Sequence, residues 1–132
     1  MNNCKLLIID DDEDDVSLLT DAFIKIGVDS VYYVFTAMMA FIYLEGVEAS
    51  CLPKLIVTDL HLPGMSGAEF LKGLKGMDKY KHIAVVVLSS SKTPEEIENY
   101  KLMGALEYLV KPNTYQEYVD IAAELKRKMD LN

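Results

Sequence analysis

The chain has 132 residues, of which 51% are hydrophobic, and carries a formal net charge of −8. That length suits one domain with a sizeable core, and the hydrophobic content excludes general disorder. The acidic balance argues against nonspecific nucleic-acid binding, because phosphates would be repelled.

The start, Met-Asn-Asn-Cys-Lys, has no basic segment followed by an apolar stretch. No apolar run approaches the ~18 residues of a membrane span, so neither a signal peptide nor a membrane helix is expected and the setting is read as cytoplasmic. Cys4 and Cys51 show neither metal-site spacing nor a disulfide framework, which fits a reducing compartment and two inert small apolar side chains.

In chain order, short apolar runs occur at Leu6–Ile9, Val31–Phe35, Leu55–Val57, Ile83–Leu88 and Tyr108–Val110. Each is followed by a longer amphipathic stretch. Val16, Leu19, Phe23 and Ile26 recur at helical spacing after the first run. Phe70, Leu71, Leu74 and Met77 follow the third, and Tyr115, Tyr118, Val119, Ala122 and Met129 follow the last. Helix starts are marked by Ser66-Gly67-Ala68-Glu69, Thr93-Pro94-Glu95-Glu96 and Thr114-Tyr115-Gln116-Glu117, each with a hydroxyl cap and a Glu three residues on. Gly46, Gly76 and Gly104 stand near helix ends, where a left-handed residue is often required. The Met38–Met39 pair reads as helix packing. Strand–helix alternation of this kind implies right-handed crossovers and a parallel sheet covered on both faces.

In such a sheet ligands bind beyond the carboxyl ends of the strands. Asp10 and Asp11 end the first run, Asp59 the third, Ser89 the fourth, and Lys111 follows the fifth. Three carboxylates on one rim repel one another unless something positive joins them, and a divalent cation with oxygen ligands is the natural candidate. An aspartate can also act as a nucleophile toward phosphorus. Phosphoryl transfer asks of a protein mainly positioning and charge neutralisation, which a cation, Lys111 and the Ser89 hydroxyl would provide. Asp12, Glu13, Asp14 and Asp15 read as a solvated, acidic helix start favoured by the helix dipole. Ser90 and Ser91 read as loop polars, and Tyr100, Tyr115 and Tyr118 as packing or surface aromatics.

Four segments then carry a resemblance: Ile8-Ile9-Asp10-Asp11-Asp12, Asp59-Leu60-His61-Leu62-Pro63-Gly64-Met65-Ser66-Gly67, Val87-Leu88-Ser89 and Tyr108-Leu109-Val110-Lys111-Pro112. In that order and spacing the chain resembles the receiver domain of bacterial two-component response regulators, of the stand-alone, single-domain type. The resemblance implies a flavodoxin-like, doubly wound α/β fold, with five parallel strands in the order 2-1-3-4-5 and five helices. It implies one domain over residues 1–132, with a core at about 4–129 and no output domain.

It also implies roles. Asp59 is the expected phosphoacceptor. Asp11 is the expected direct ligand of Mg2+ (or Mn2+), with Asp59, the backbone carbonyl of His61, and Asp10 through water. Lys111 pairs with Asp59 and then with the phosphoryl group. Ser89 is the switch hydroxyl, Tyr108 the aromatic that turns inward on phosphorylation, and Pro112 follows a cis peptide bond. The implied partners are a sensor histidine kinase or phosphotransfer protein, and a downstream protein on the face formed by helix four, strand five and helix five, with a monomer or weak dimer as the working unit.

Ser89 stands where the family more often has Thr, Ser90 where it often has Ala, and Asn113 where an aromatic is frequent. Other functions fit less well. A small aspartyl-phosphate phosphohydrolase usually has a second acid two residues after its nucleophile, where this chain has His61. A nucleotide- or flavin-binding module would need a Gly-rich loop after the first strand, where Asp11-Asp12-Glu13-Asp14 stands instead. A phosphorylation-independent interaction module would have no need of the intact acid set.

Overall fold

The computed structural model describes residues 5–90 and 93–130. Cys4 and Ser91 lie outside them. Strands β1 (Leu6–Ile9), β2 (Val31–Val34), β3 (Leu55–Thr58), β4 (Ala84–Ser89) and β5 (Glu107–Val110) alternate with helices α1 (Glu13–Lys25), α2 (Ala37–Gly46), α3 (Gly67–Lys75), α4 (Pro94–Leu102) and α5 (Tyr115–Asp130). A 3-10 turn at Ala49–Cys51, not evident from periodicity, precedes β3.

All strand pairs are parallel and the order is β2-β1-β3-β4-β5, as the resemblance implied. Register aligns the strand ends: Ile9 pairs Thr58, Thr58 pairs Val87, and Ser89 pairs Val110. The residues following β1, β3 and β5 therefore emerge on one rim.

The three central strands, β1, β3 and β4, are apolar on both sides because both sides are covered. Leu7, Ile9, Ile56, Val85 and Val87 point to a layer with Ala40, Leu44, Phe70, Leu71 and Leu74 of α2 and α3. Leu6, Ile8, Leu55, Val57, Val86 and Leu88 point to the other, with Val16, Leu19 and Phe23 of α1 and Tyr118, Ala122, Leu125 and Met129 of α5. Successive residues of one strand thus serve opposite layers, which removes the polar alternation seen in half-exposed strands.

Caps set the helix starts, at Ser66, Thr93 and Thr114 as expected and at Thr36 in addition. Asp12 accepts the amide N–H of Asp14 and Asp15, Thr36 that of Met39, and Ser66 with Glu69 forms a reciprocal capping box. At Thr93 and Thr114 the reciprocity differs. The hydroxyl caps the backbone, and the Glu carboxylate accepts from that hydroxyl.

Several expectations are corrected. Of Gly46, Gly76 and Gly104, only Gly104 is left-handed (φ +106°), joined by Gly27 and Gly64; Gly46 is still helical and Gly76 ends α3 at φ −82°. Met38 and Met39 are 58% and 50% exposed. The cause is that α2 is apolar nearly all round, whereas the sheet can cover only its Ala37–Ala40–Leu44 stripe. No peptide bond among the described residues is cis, so Lys111–Pro112 is trans. Trans is the default even before proline, and Lys111 reaches the rim without a cis bond because its N–H extends the ladder to the Ser89 carbonyl at 2.9 Å. Among the described residues no helix is long and apolar enough to cross a membrane.

Candidate functional site

The rim is built from four places in the chain. At the end of β1, the Asp10 amide donates to the Val34 carbonyl (3.2 Å) and its carboxylate accepts the Asp12 amide (3.0 Å), which turns the chain into the α1 cap. At the end of β3, the Asp59 amide donates to the Ile9 carbonyl (2.9 Å), and Asp59 Oδ1 accepts the Leu60 amide (2.7 Å). The next turn, through left-handed Gly64, is closed by the Gly67 amide donating to the Leu60 carbonyl at 2.9 Å. Ser89 is fully buried at the end of β4, and Lys111 follows β5.

The acids converge. Asp10, Asp11 and Asp59 each offer a carboxylate oxygen, and these oxygens lie within 4.8 Å of one another. Asp10 and Asp59 are 6% and 7% exposed, whereas Asp11 faces outward. Beside them a shallow recess is lined by Asp11, Asp12, Glu13, Asp14 and Phe35. A carboxylate trio of this kind is the donor set of a hard divalent cation.

The Lys111 ammonium closes the cluster from the other side. Nζ lies 3.2 Å from Asp59 Oδ2, 3.0 Å from Asp10 Oδ2 and 2.7 Å from Asp15 Oδ2. Burial works to lower its pKa. The hydrogen bonds to Asp15 and Asp10 and the charges of Asp10 and Asp59 outweigh burial, and the ammonium is held well above its ordinary range. Burial is the largest influence on Asp10, pushing it above the usual aspartate range against the Asp12 amide and Lys111. A buried carboxylate held by one shared ammonium favours the approach of more positive charge.

Asp15 is the residue that sequence reasoning missed. Sequence pattern groups it with the solvated helix start, and Asp12 and Asp14 do face water. Asp15 instead turns inward, with Oδ2 on Lys111 and Oδ1 accepting from the Tyr118 hydroxyl at 3.3 Å. A signal existed: Asp15 stands one turn before Leu19, on the edge of the buried stripe of α1. Tyr118, read as a packing aromatic, is buried as expected but also donates this bond.

Tyr108 is 6% exposed, with its ring 5.8 Å from that of Tyr100. Burial foremost, and then the Glu96 charge, raise its phenol pKa. Ser90 and the His61 side chain are exposed on the same rim.

The chain matches the model of the response regulator receiver domain over residues 6–123. It is 33% identical over 120 residues to sporulation initiation phosphotransferase F of Bacillus subtilis, covering 91% of each chain. It is 35% identical over 109 residues to the two-component response regulator ORR6 of rice, covering 81% of this chain and 62% of that protein; the chain thus spans less than two thirds of that relative's length. Its fold superimposes on the phosphorylated cyanobacterial phytochrome response regulator RcpA with a TM-score of 0.82 and 29% identity, covering 94% of this chain and 91% of the other. The fold of the Mn2+-bound response regulator Rcp1 is similar too, at a TM-score of 0.75 and 22% identity over 92% of this chain and 90% of that one. With its strand order, its rim of acids and its lysine, the chain belongs to the response regulator receiver domain family, whose members are phosphoacceptor switches of two-component signalling.

Proposed function

We propose that Asp59 is the phosphoacceptor of this receiver, charged by a phosphohistidine of a sensor histidine kinase or phosphotransfer protein. A carboxylate oxygen of Asp59 attacks phosphorus. The P–O bond forms as the P–N bond breaks, and the electron pair leaves with the imidazole nitrogen, which is then protonated. The product is an aspartyl phosphate, and the chain is a switch whose only chemistry is its own phosphorylation and dephosphorylation.

The observation that carries this reading is the placement of Lys111. One ammonium sits 3.2 Å from Asp59 at the edge of an acid trio, ready to meet the negative oxygens of an incoming phosphoryl group. Asp11, Asp59 and the His61 carbonyl would hold Mg2+ or Mn2+, with Asp10 acting through water. Bound there, the ion supplies positive charge to the phosphoryl oxygens as the leaving group departs.

The readout runs through Ser89, buried at the end of β4, and the buried Tyr108 of the neighbouring β5. A phosphoryl oxygen at Asp59 claims the Ser89 hydroxyl and alters the surroundings of the Tyr108 ring. The effect reaches α4, a helix with no fully buried residue that is attached mainly through Ile97, Tyr100 and Met103. A lightly packed element is the one most easily biased between two positions, so the α4–β5–α5 face is the proposed surface for a downstream protein.

Intact-protein mass after incubation with acetyl phosphate and Mg2+ tests the assignment. The expected result is a Mg2+-dependent phosphoryl adduct on the wild type and none on Asp59→Asn. Equal uptake by both proteins would remove Asp59 from the role.

A further inference from the structure

A lysine ammonium has three N–H donors, and those of Lys111 meet three carboxylates. Two of these, Asp10 and Asp59, belong to the trio suited to a divalent cation. A cation sharing their oxygens weakens their hold on the ammonium and repels it. Asp15 lies outside the trio and makes the shortest of the three contacts, 2.7 Å.

Asp15 is itself held from two sides. Its amide donates to the Asp12 carboxylate at 3.2 Å in the α1 cap, and its Oδ1 accepts the Tyr118 hydroxyl at 3.3 Å. The helices that carry these partners are packed together, Val16, Leu19 and Phe23 of α1 in one apolar layer with Tyr118, Ala122 and Leu125 of α5. The carboxylate thus stands on a rigid base, whereas Lys111 is a compact charge on a flexible four-carbon stem.

We infer that Asp15 is a positioning residue: it keeps the Lys111 ammonium over Asp59 when a divalent cation engages the acid trio, and Tyr118 makes α5 part of that support. The inference rests on the phosphoacceptor reading for its purpose, though not for its geometry. With one N–H anchored on Asp15, the remaining two face Asp59 and Asp10, beside the space where phosphoryl oxygens arrive. Without the anchor the ammonium swings toward solvent and is present in the site only part of the time. Asp15→Asn keeps the shape and an acceptor but removes the charge, and Tyr118→Phe keeps the charge but frees one carboxylate oxygen.

The test reads the ammonium directly. Lysine NH3+ groups give 1H–15N cross-peaks when hydrogen bonds slow their exchange with water, so Lys111 is observed in Mg2+ buffer, assigned by its loss in Lys111→Arg. The expected result is a cross-peak in the wild type, weakened in Tyr118→Phe and lost in Asp15→Asn, while the backbone spectrum retains its dispersion. Phosphoryl uptake from acetyl phosphate by Asp15→Asn slows about tenfold in maximal rate, the size of one charge-assisted hydrogen bond, and the Mg2+ midpoint moves less than about twofold. A cross-peak that persists in Asp15→Asn, or that is already absent from the wild type in Mg2+, overturns the inference. If the wild type takes up no phosphoryl group, the phosphoacceptor reading fails, and the cross-peak still decides whether Asp15 anchors the lysine.

Discussion

Gly67 opens α3 directly against the backbone of Asp59: a β-carbon there would collide with the Asp59 carbonyl oxygen and stand 2.8 Å from Leu60 Cα. The loop that follows Asp59 therefore closes on itself through a residue without a side chain, and the Gly67 N–H to Leu60 carbonyl bond locks it at 2.9 Å. The obstructing atoms are main chain, so they cannot rotate away.

Gly67→Ala is expected to destabilise the protein by about 2 kcal/mol, the cost of overpacking against a rigid neighbour, and to displace Asp59. Urea unfolding and the rate of phosphoryl uptake check this together. A variant within about 0.5 kcal/mol of wild type would show that the turn yields without strain.

Holding Asp10 and Asp59 nearly buried with one shared lysine leaves excess negative charge in the folded state. Mg2+ should therefore raise the thermal midpoint, by about 2.7 kcal/mol of stability once its concentration reaches a hundred times the dissociation constant. Asp11→Asn should abolish most of that gain while leaving the metal-free midpoint near wild type, because Asp11 faces water. Midpoints of the wild type that coincide with and without Mg2+ would count against a metal role for the trio.

Lys111→Ala leaves Asp10, Asp15 and Asp59 facing one another without their common partner. Loss of roughly 3 kcal/mol is expected in the absence of metal, typical of a partly buried charge cluster deprived of its counter-ion. Mg2+ should bind this variant more tightly than wild type, since a repelling cation has gone. Calorimetric titration with Mg2+ checks the second expectation, and weaker binding would contradict it.

Tyr118 is buried, and burial first, then the Asp15 charge, push its phenol up to about 12. An unfolded tyrosine ionises near 10, so between about pH 10 and 12 the unfolded state has lost a proton that the folded state retains. Its contribution is fully present below pH 10 and declines as pH rises, by roughly 2–3 kcal/mol across that window. Lys111, also raised, loses stability in the same direction above its ordinary value. Tyr118→Phe should flatten the alkaline fall in unfolding free energy measured over this range; an unchanged slope would assign the loss elsewhere.

Much of this protein is determined locally. Five apolar runs alternating with amphipathic stretches dictate a doubly covered parallel sheet, because a strand apolar on both sides and a helix apolar on one have few other ways to exclude water. That topology sends Asp10, Asp11, Asp59 and Lys111 to one rim, and it places Ser89 at a strand end, so those positions were legible from strand ends alone. Whether Pro112 follows a cis or a trans bond, and whether Met38 and Met39 pack or face water, depended on what the neighbouring elements could reach.

Asp15 shows the limit most clearly. Its place in the first turn of α1 is a local property, and there it resembles its solvated neighbours Glu13 and Asp14. Its partners lie 96 and 103 residues away, at Lys111 and Tyr118. Helical spacing determines which way a carboxylate points; only the packing of α1 against α5 and the reach of a lysine after β5 decide what it meets there. A charge in water needs no particular partner, but one turned into the protein must find one, and that partner is chosen by the tertiary fold.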